Sequence, residues 1–136
     1  MLTDAGPLVA LLDADDACHH ACVEIAEKLR RPLVTTWPAL TEALHLLQRT
    51  PRADLGLMDL VARGDVVLAP MDRNDIPRIR ELMAKYRDLP MDFADASLVR
   101  IAERDGLHKI FTTDRHFEIY RPRVRGREQG RFAIVP

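Results

Sequence analysis

The chain has 136 residues, 47% of them hydrophobic and 30% charged, enough for one compact domain that buries roughly two-thirds of its unfolded surface. Twenty Lys and Arg against 21 Asp and Glu leave a formal charge of -1, which excludes a uniformly basic nucleic-acid coat and an acidic disordered tail, so any charge-driven function has to come from local patterning. No apolar run approaches the roughly 18 residues that a bilayer span requires, and Asp4 stands where a secretory leader would carry basic residues; a cytoplasmic protein without a membrane contact is expected.

Short apolar β-type runs alternate with longer segments of helical period, the pattern of an α/β fold whose parallel sheet is covered on both faces. The first strand candidate is Met1 to Asp4. Asp15 or Asp16 can then cap a helix through about Leu29, with Ala17, Ala21, Ile25 and Leu29 on one face. Cys18 and Cys22 lie four apart in that helix, a poor geometry for a disulfide. With His19 and His20 they resemble a zinc site only superficially, because the histidines point elsewhere and no second ligand pair follows. A strand from Pro32 to Thr36 leads to Thr36 as cap of a helix over Trp37 to Arg49, whose apolar stripe is Leu40, Ala43, Leu44 and Leu47. Next come a helix over Ala53 to Ala62, a strand over Asp65 to Ala69, and helices over Asn74 to Tyr86 and Met91 to Glu103. Lys109 to Thr113 and, more weakly, Arg131 to Val135 complete the strands. Between them the run RPRVRGREQGR, with five Arg and one Glu, carries +4 and leaves -5 for the rest of the chain. Its Arg121, Arg123 and Arg125 suit a phosphate backbone, a solvated loop or the acids of a partner alike.

Right-handed crossovers place every strand's C-terminal end on one edge of the sheet, where open α/β folds bind ligands. Asp4 and Asp114 both end strands, so both carboxylates should project from that edge. Asp92 and Asp95 lie three apart at the start of MDFADASLVRIAE, close enough to share a face near the positive end of a helix dipole. Glu42 sits beside the apolar stripe of TEALHLL, turned toward protein. Each acid also has an ordinary structural reading: Asp92 as a helix cap, Asp114 as the cap of a turn, Asp4 as the start of a turn with Gly6 and Pro7, and Glu42 as an exposed helix residue. The functional reading rests on their conjunction. If Asp4, Glu42, Asp95 and Asp114 converge, each close pair repels by about 4 kcal/mol at 4 Å, so the cluster must take up protons or bind cations. Oxygen-only ligands favour magnesium or manganese and hence a phosphodiester substrate, with Thr112 or Thr113 holding a water or a carboxylate by its hydroxyl. His116, near Asp114, is a contact to phosphate or a plain loop side chain.

Four segments in order, MLTDAGPLVALLD, TTWPALTEALHLL, LPMDFADASLVRIAERDG and IFTTDRHFEIYR, resemble the PIN-domain ribonucleases, in particular the VapC-type toxins of toxin-antitoxin pairs. The resemblance runs nearly end to end. It implies a three-layer α/β/α domain with a central parallel sheet of four or five strands, and a magnesium- or manganese-dependent endoribonuclease whose products end in 5′-phosphate and 3′-hydroxyl. It maps the family's acidic motif onto Asp4, Glu42, Asp95 and Asp114 as catalytic and metal-holding residues, with Asp92 as an accessory acid and Thr112 as the family's hydroxyl residue. It further implies a small antitoxin as partner and a homodimer. Two rival readings share the composition: a non-catalytic domain of the same fold that binds RNA or protein, and a signalling receiver domain. The receiver would need an acidic pair after the first strand and a late Lys, where this chain has Asp4 alone and Asp114.

Overall fold

The computed structural model describes residues 1–135. Five parallel strands, β1 (Leu2–Thr3), β2 (Leu33–Thr35), β3 (Val66–Leu68), β4 (Lys109–Phe111) and β5 (Ala133–Val135), form one sheet in the order β3-β2-β1-β4-β5. All five expected strands are present, each trimmed to its hydrogen-bonded centre except at the start of β4 and the end of β5. The six helices are α1 (Ala5–Leu12), α2 (His19–Glu27), α3 (Trp37–Leu46), α4 (Ala53–Arg63), α5 (Ile76–Lys85) and α6 (Phe93–Asp105). The chain turns outward from β1 through β2 to β3, then returns through α5 and α6 to place β4 on the other side of β1. A receiver-type sheet has the order 2-1-3-4-5, so this topology sets that rival aside.

Side-chain alternation splits the core in two. Leu2, Val34 and Ile110 face a cluster with α5, α6, Phe117 and Tyr120, whereas Leu33, Val66 and Phe111 face a second cluster with α1, α4 and most of α3. The three layers of an α/β/α sandwich follow.

Three local expectations need correction. Residues 5–12 form a helix where Gly6 and Pro7 suggested a turn; Pro7 lies in the first turn, where its missing N–H costs nothing, and Asp4 caps the end by accepting from the Ala5 N–H at 2.7 Å. The helix expected to start on an Asp15 or Asp16 cap begins at His19, and Asp16 caps only the preceding turn, accepting from the Cys18 N–H. The helix from Trp37 ends at Leu46 and tightens into a 3₁₀ turn over Leu47–Arg49. Thr36 does cap α3, and Gly64 and Gly106 end α4 and α6 in the left-handed conformation. Cys18 and Cys22 are free thiols, Cys22 buried and pushed up to about 11 by that burial, an inert packing residue. No helix among the described residues is long and apolar enough to cross a membrane.

Candidate active site

The strand order reverses between β1 and β4, and Asp4 and Asp114 follow these two strands. The register pairs Thr3 with Phe111, which sets Asp4 opposite Thr112; the Asp4 N–H donates to the Phe111 carbonyl at 3.1 Å. Thr112 joins the two acids: its hydroxyl donates to Asp4 Oδ2 at 3.1 Å and accepts from the Asp114 N–H at 2.9 Å. Gly6 permits this approach, because a Cβ there would press on Thr113 Oγ1. Asp114 Oδ1 accepts from the His116 N–H at 2.9 Å and lies 3.1 Å from His116 Nδ1.

The other acids come from the starts of two helices. Asp92 caps α6, accepting from the Asp95 N–H at 2.9 Å. Asp95, one turn inside, is buried and takes a hydrogen bond from the Tyr120 hydroxyl at 3.1 Å. Burial and the neighbouring Asp95 carboxylate raise the Tyr120 phenol far above neutrality, so it remains a donor. Tyr120 was not singled out in the sequence, where a lone Tyr in an irregular segment looks like any core aromatic. Its ring is wedged edge-on against Tyr86 and Phe117, which fixes the hydroxyl. Glu42, on α3, is half-buried and has no side-chain hydrogen bond among the described residues. Thr36 and Ser97 tie α3 to α6 through hydroxyls 2.6 Å apart, both fully buried.

The electrostatics show the convergence. Burial raises the Asp4 carboxyl, and Asp114 and Asp92 add to the rise. Glu42 is raised by burial and then by Asp92, Asp4 and Asp114. Asp95 is pushed up to about 7 by burial, by Asp92 and by Asp4, against the lowering effect of Tyr120. No Lys or Arg forms an ion pair with Asp4, Glu42, Asp92, Asp95 or Asp114 among the described residues. Four chain segments therefore deliver uncompensated negative charge to one edge of the sheet.

Among the described residues, no three His, Cys, Asp or Glu groups already stand at metal-ligand spacing. That holds for Cys18, His19, His20 and Cys22 as well, where His19 Nδ1 instead meets the Ala10 carbonyl at 2.7 Å. The acids are near enough to raise one another yet not closed into a cage. An oxygen-only set of this kind fits a hard divalent cation, which retains waters and is held by one or two carboxylates together with substrate phosphate. It does not fit zinc, which takes His or Cys in a closed tetrahedron.

The Arg-rich segment is placed differently. Arg121 turns onto the carbonyls of Glu118 and Tyr120, and Arg123 reaches Glu81 at 3.2 Å and Glu128 at 3.8 Å. The Arg123 N–H donates to Glu103, eight residues and about 12 Å along α6 from Asp95. Arg125 occupies the tip of a two-residue hairpin with Gly126, both at positive φ, and is exposed. These arginines do not join the acids.

Known proteins resemble this chain in sequence and in fold. A profile of the PIN domain matches residues 1–121. Ribonuclease VapC26 of Mycobacterium tuberculosis is 31% identical over 140 residues, spanning both chains in full. The crystal structure of Mycobacterium tuberculosis VapC20, described as a sarcin-ricin loop cleaving toxin, aligns with a TM-score of 0.76 over 83% of this chain and 88% of its own, at 18% identity, a likeness of fold.

Proposed function

The chain belongs to the PIN-domain family, and from that premise we propose that it is a divalent-metal-dependent endoribonuclease, the toxin of a toxin-antitoxin pair. The observation that supports this reading best is the gathering of Asp4, Glu42, Asp92, Asp95 and Asp114 around the C-terminal ends of β1 and β4 with no Lys or Arg among the described residues in an ion pair with them. In this reading Asp4, Glu42, Asp95 and Asp114 are catalytic and hold magnesium or manganese. Asp92 and Thr112 orient them, the one as a helix cap and the other as the bridge between Asp4 and Asp114.

Held by Asp4, Glu42, Asp95 and Asp114, a divalent cation would supply Lewis acidity at the scissile phosphate and would lower the pKa of an attacking water. The protein's own part is electrostatic. Burial and crowding push the Asp95 carboxyl up to about 7, so as a ligand it would have to give up its proton on holding a cation. Tyr120 and Thr112 donate to Asp95 and Asp4 and hold one oxygen of each in place. The products carry 5′-phosphate and 3′-hydroxyl ends, and the partners are RNA, a cognate antitoxin and a second copy of the chain.

Incubating a mixed RNA pool with protein free of bound inhibitor, in magnesium, manganese or chelator, tests the proposal. Cutting in either metal and none in chelator is expected, as is loss of cutting in Asp4→Asn. Metal-independent cutting, or none in any condition, would favour the non-catalytic reading.

A further inference from the structure

Between the start of α2 and the loop that follows β4 lies a cavity of about 390 Å³. Cys18 and Cys22 line it together with Thr112, Thr113 and Asp114, so two thiols that the proposed reaction does not use share a space with one of its acids. Cys18, the residue before the first turn of α2, is half-buried and free, and its side chain caps nothing. The Cys22 N–H donates to the Cys18 carbonyl at 2.9 Å, which sets the thiols one helical turn apart, a poor geometry for a disulfide between them. Cys22 is only 1% exposed and burial pushes its thiol up to about 11, so it stays protonated at neutral pH and neither attacks nor resolves a disulfide. It lines the cavity with no hydrogen-bond partner among the described residues. Cys18 is therefore the thiol of the pair that is open to chemistry from outside.

The surroundings select what can reach it. Asp114 and Glu118 line the cavity, and Asp16 stands beside Cys18, its Oδ1 accepting the Cys18 N–H at 2.7 Å. Among the described residues, Arg115 is the one cation that lines it. Asp114 Oδ1 is occupied by His116, but Asp114 Oδ2 and both carboxylate oxygens of Glu118 accept no hydrogen bond among the described residues. Three carboxylates against one guanidinium repel an anionic reagent and attract an ammonium group.

We propose that Cys18 is a modification site for small disulfides that carry an amine, and that the arm left on its sulfur places an ammonium group among Asp114 and Glu118. The Cys18 thiol gives up its proton and its sulfur bonds to one sulfur of the reagent. The reagent's S–S bond breaks, and the other half leaves as a thiolate that takes the proton. Cys18 is oxidised, the departing half is reduced, and a free thiol reverses the step. A fixed positive charge beside Asp114 opposes a divalent cation there, so the modification silences the acidic site. This coupling rests on the reading of Asp114 as a cation ligand; the modification itself does not.

Cystamine, the neutral hydroxyethyl disulfide and the anionic dithiodipropionate leave arms of similar length, and each is added to the reduced full chain at low salt. Peptide mass mapping should find one adduct, on Cys18, in the wild type and in Cys22→Ala, and none in Cys18→Ser. With each rate divided by that for a free cysteine peptide, which removes the differences between leaving thiols, cystamine should react about tenfold or more faster than dithiodipropionate, and salt should shrink the ratio. The cystamine adduct should bind manganese about tenfold or more weakly than the unmodified chain, the neutral adduct much less so, and dithiothreitol should restore the affinity. Cys18→Ser should bind manganese as the wild type does, before and after cystamine. An adduct on Cys22, the lack of a charge preference, or equal losses with the neutral and cationic arms would overturn the proposal, as would a cystamine adduct with unaltered manganese affinity. A wild type that binds manganese and cuts no RNA would sink the nuclease reading alone, since neither measurement requires cutting; one that binds no manganese would sink both.

Discussion

Three of the five acids serve as caps. Asp4, Asp92 and Asp114 each accept a backbone N–H at the start of a helix or turn, so the structural role and the proposed site role coincide: a cap fixes a carboxylate at the N-terminal end where the helix dipole favours negative charge. Asp95 and Glu42 lack that support and carry the strain of the cluster. Because the folded Asp95 carboxyl sits at about 7 against 3.8 in the unfolded chain, the metal-free native state keeps a proton between those pH values that the unfolded chain has lost. Stability therefore falls as pH rises through that window, by about 4 kcal/mol from this group. Asp95→Asn should flatten the decline seen in urea unfolding between pH 4 and 8, raise metal-free stability at pH 8 by a few kcal/mol, and abolish cleavage. A mutant as pH-sensitive as the wild type would mean that Asp95 is not the strained group. Tyr120→Phe should act in the opposite sense on the same carboxyl. It removes a donor to the charged form, so the acid limb of the cleavage profile should move to higher pH, with about 1 kcal/mol of stability lost.

At the level of elements, the strands were legible because apolar runs bounded by Gly, Pro and Asp leave little choice, and their shared C-terminal edge puts Asp4 and Asp114 together from the sequence alone. The helix α1 was hidden, since its first turn is written Ala-Gly-Pro and its cap is itself one of the acids. The pairing of α3 with α6 was also hidden, because two hydroxyls 61 residues apart give no periodic signal. That pairing sets the helix that carries Glu42 beside the one that Asp92 caps, and the two acids line one groove. The Thr36 hydroxyl caps α3 at 3.4 Å from the Ala39 N–H and meets Ser97, whose own hydroxyl also reaches the Ala94 carbonyl. Thr36→Val keeps the volume and deletes the hydroxyl, and should cost about 1–2 kcal/mol. Its cleavage rate should fall more than the stability loss at assay temperature explains, because the two helices lose their fixed register. Adding Ser97→Ala should cost less than the two single losses together, the mark of a direct coupling; strict additivity would argue that the hydroxyls act separately.

For the molecule as a whole, the acids need a sheet that holds its edge open, and the last third of the chain supplies the brace. The PIN-domain match stops at residue 121, yet β5 pairs with β4 over three positions beyond it. What pins the intervening loop is Arg78. Buried on α5, it reaches Glu103 of α6 at 2.7 Å, Glu81 at 3.1 Å and Glu128 of the loop at 3.1 Å, while Lys85 also pairs with Glu128. The Glu103 side chain is only 5% exposed and accepts the Arg123 N–H as well. Burial alone would lower the Arg78 pKa, but Glu103 and its companions raise it well beyond the ordinary range. The basic run that reads in the sequence as a place for phosphate is in part the outer half of this brace, a use that composition cannot distinguish from RNA binding. Arg78→Met should therefore cost about 3–5 kcal/mol by leaving Glu103 charged and buried without its partner. Adding Glu103→Gln removes that charge while keeping an acceptor for the Arg123 N–H, and should recover part of the loss. Arg123→Ala, at the exposed end of the network, should change stability by no more than about 1 kcal/mol. Thermal unfolding of the four proteins decides the matter: a double variant no more stable than Arg78→Met would show that packing at Arg78, not the stranded charge, holds the loop to the sheet.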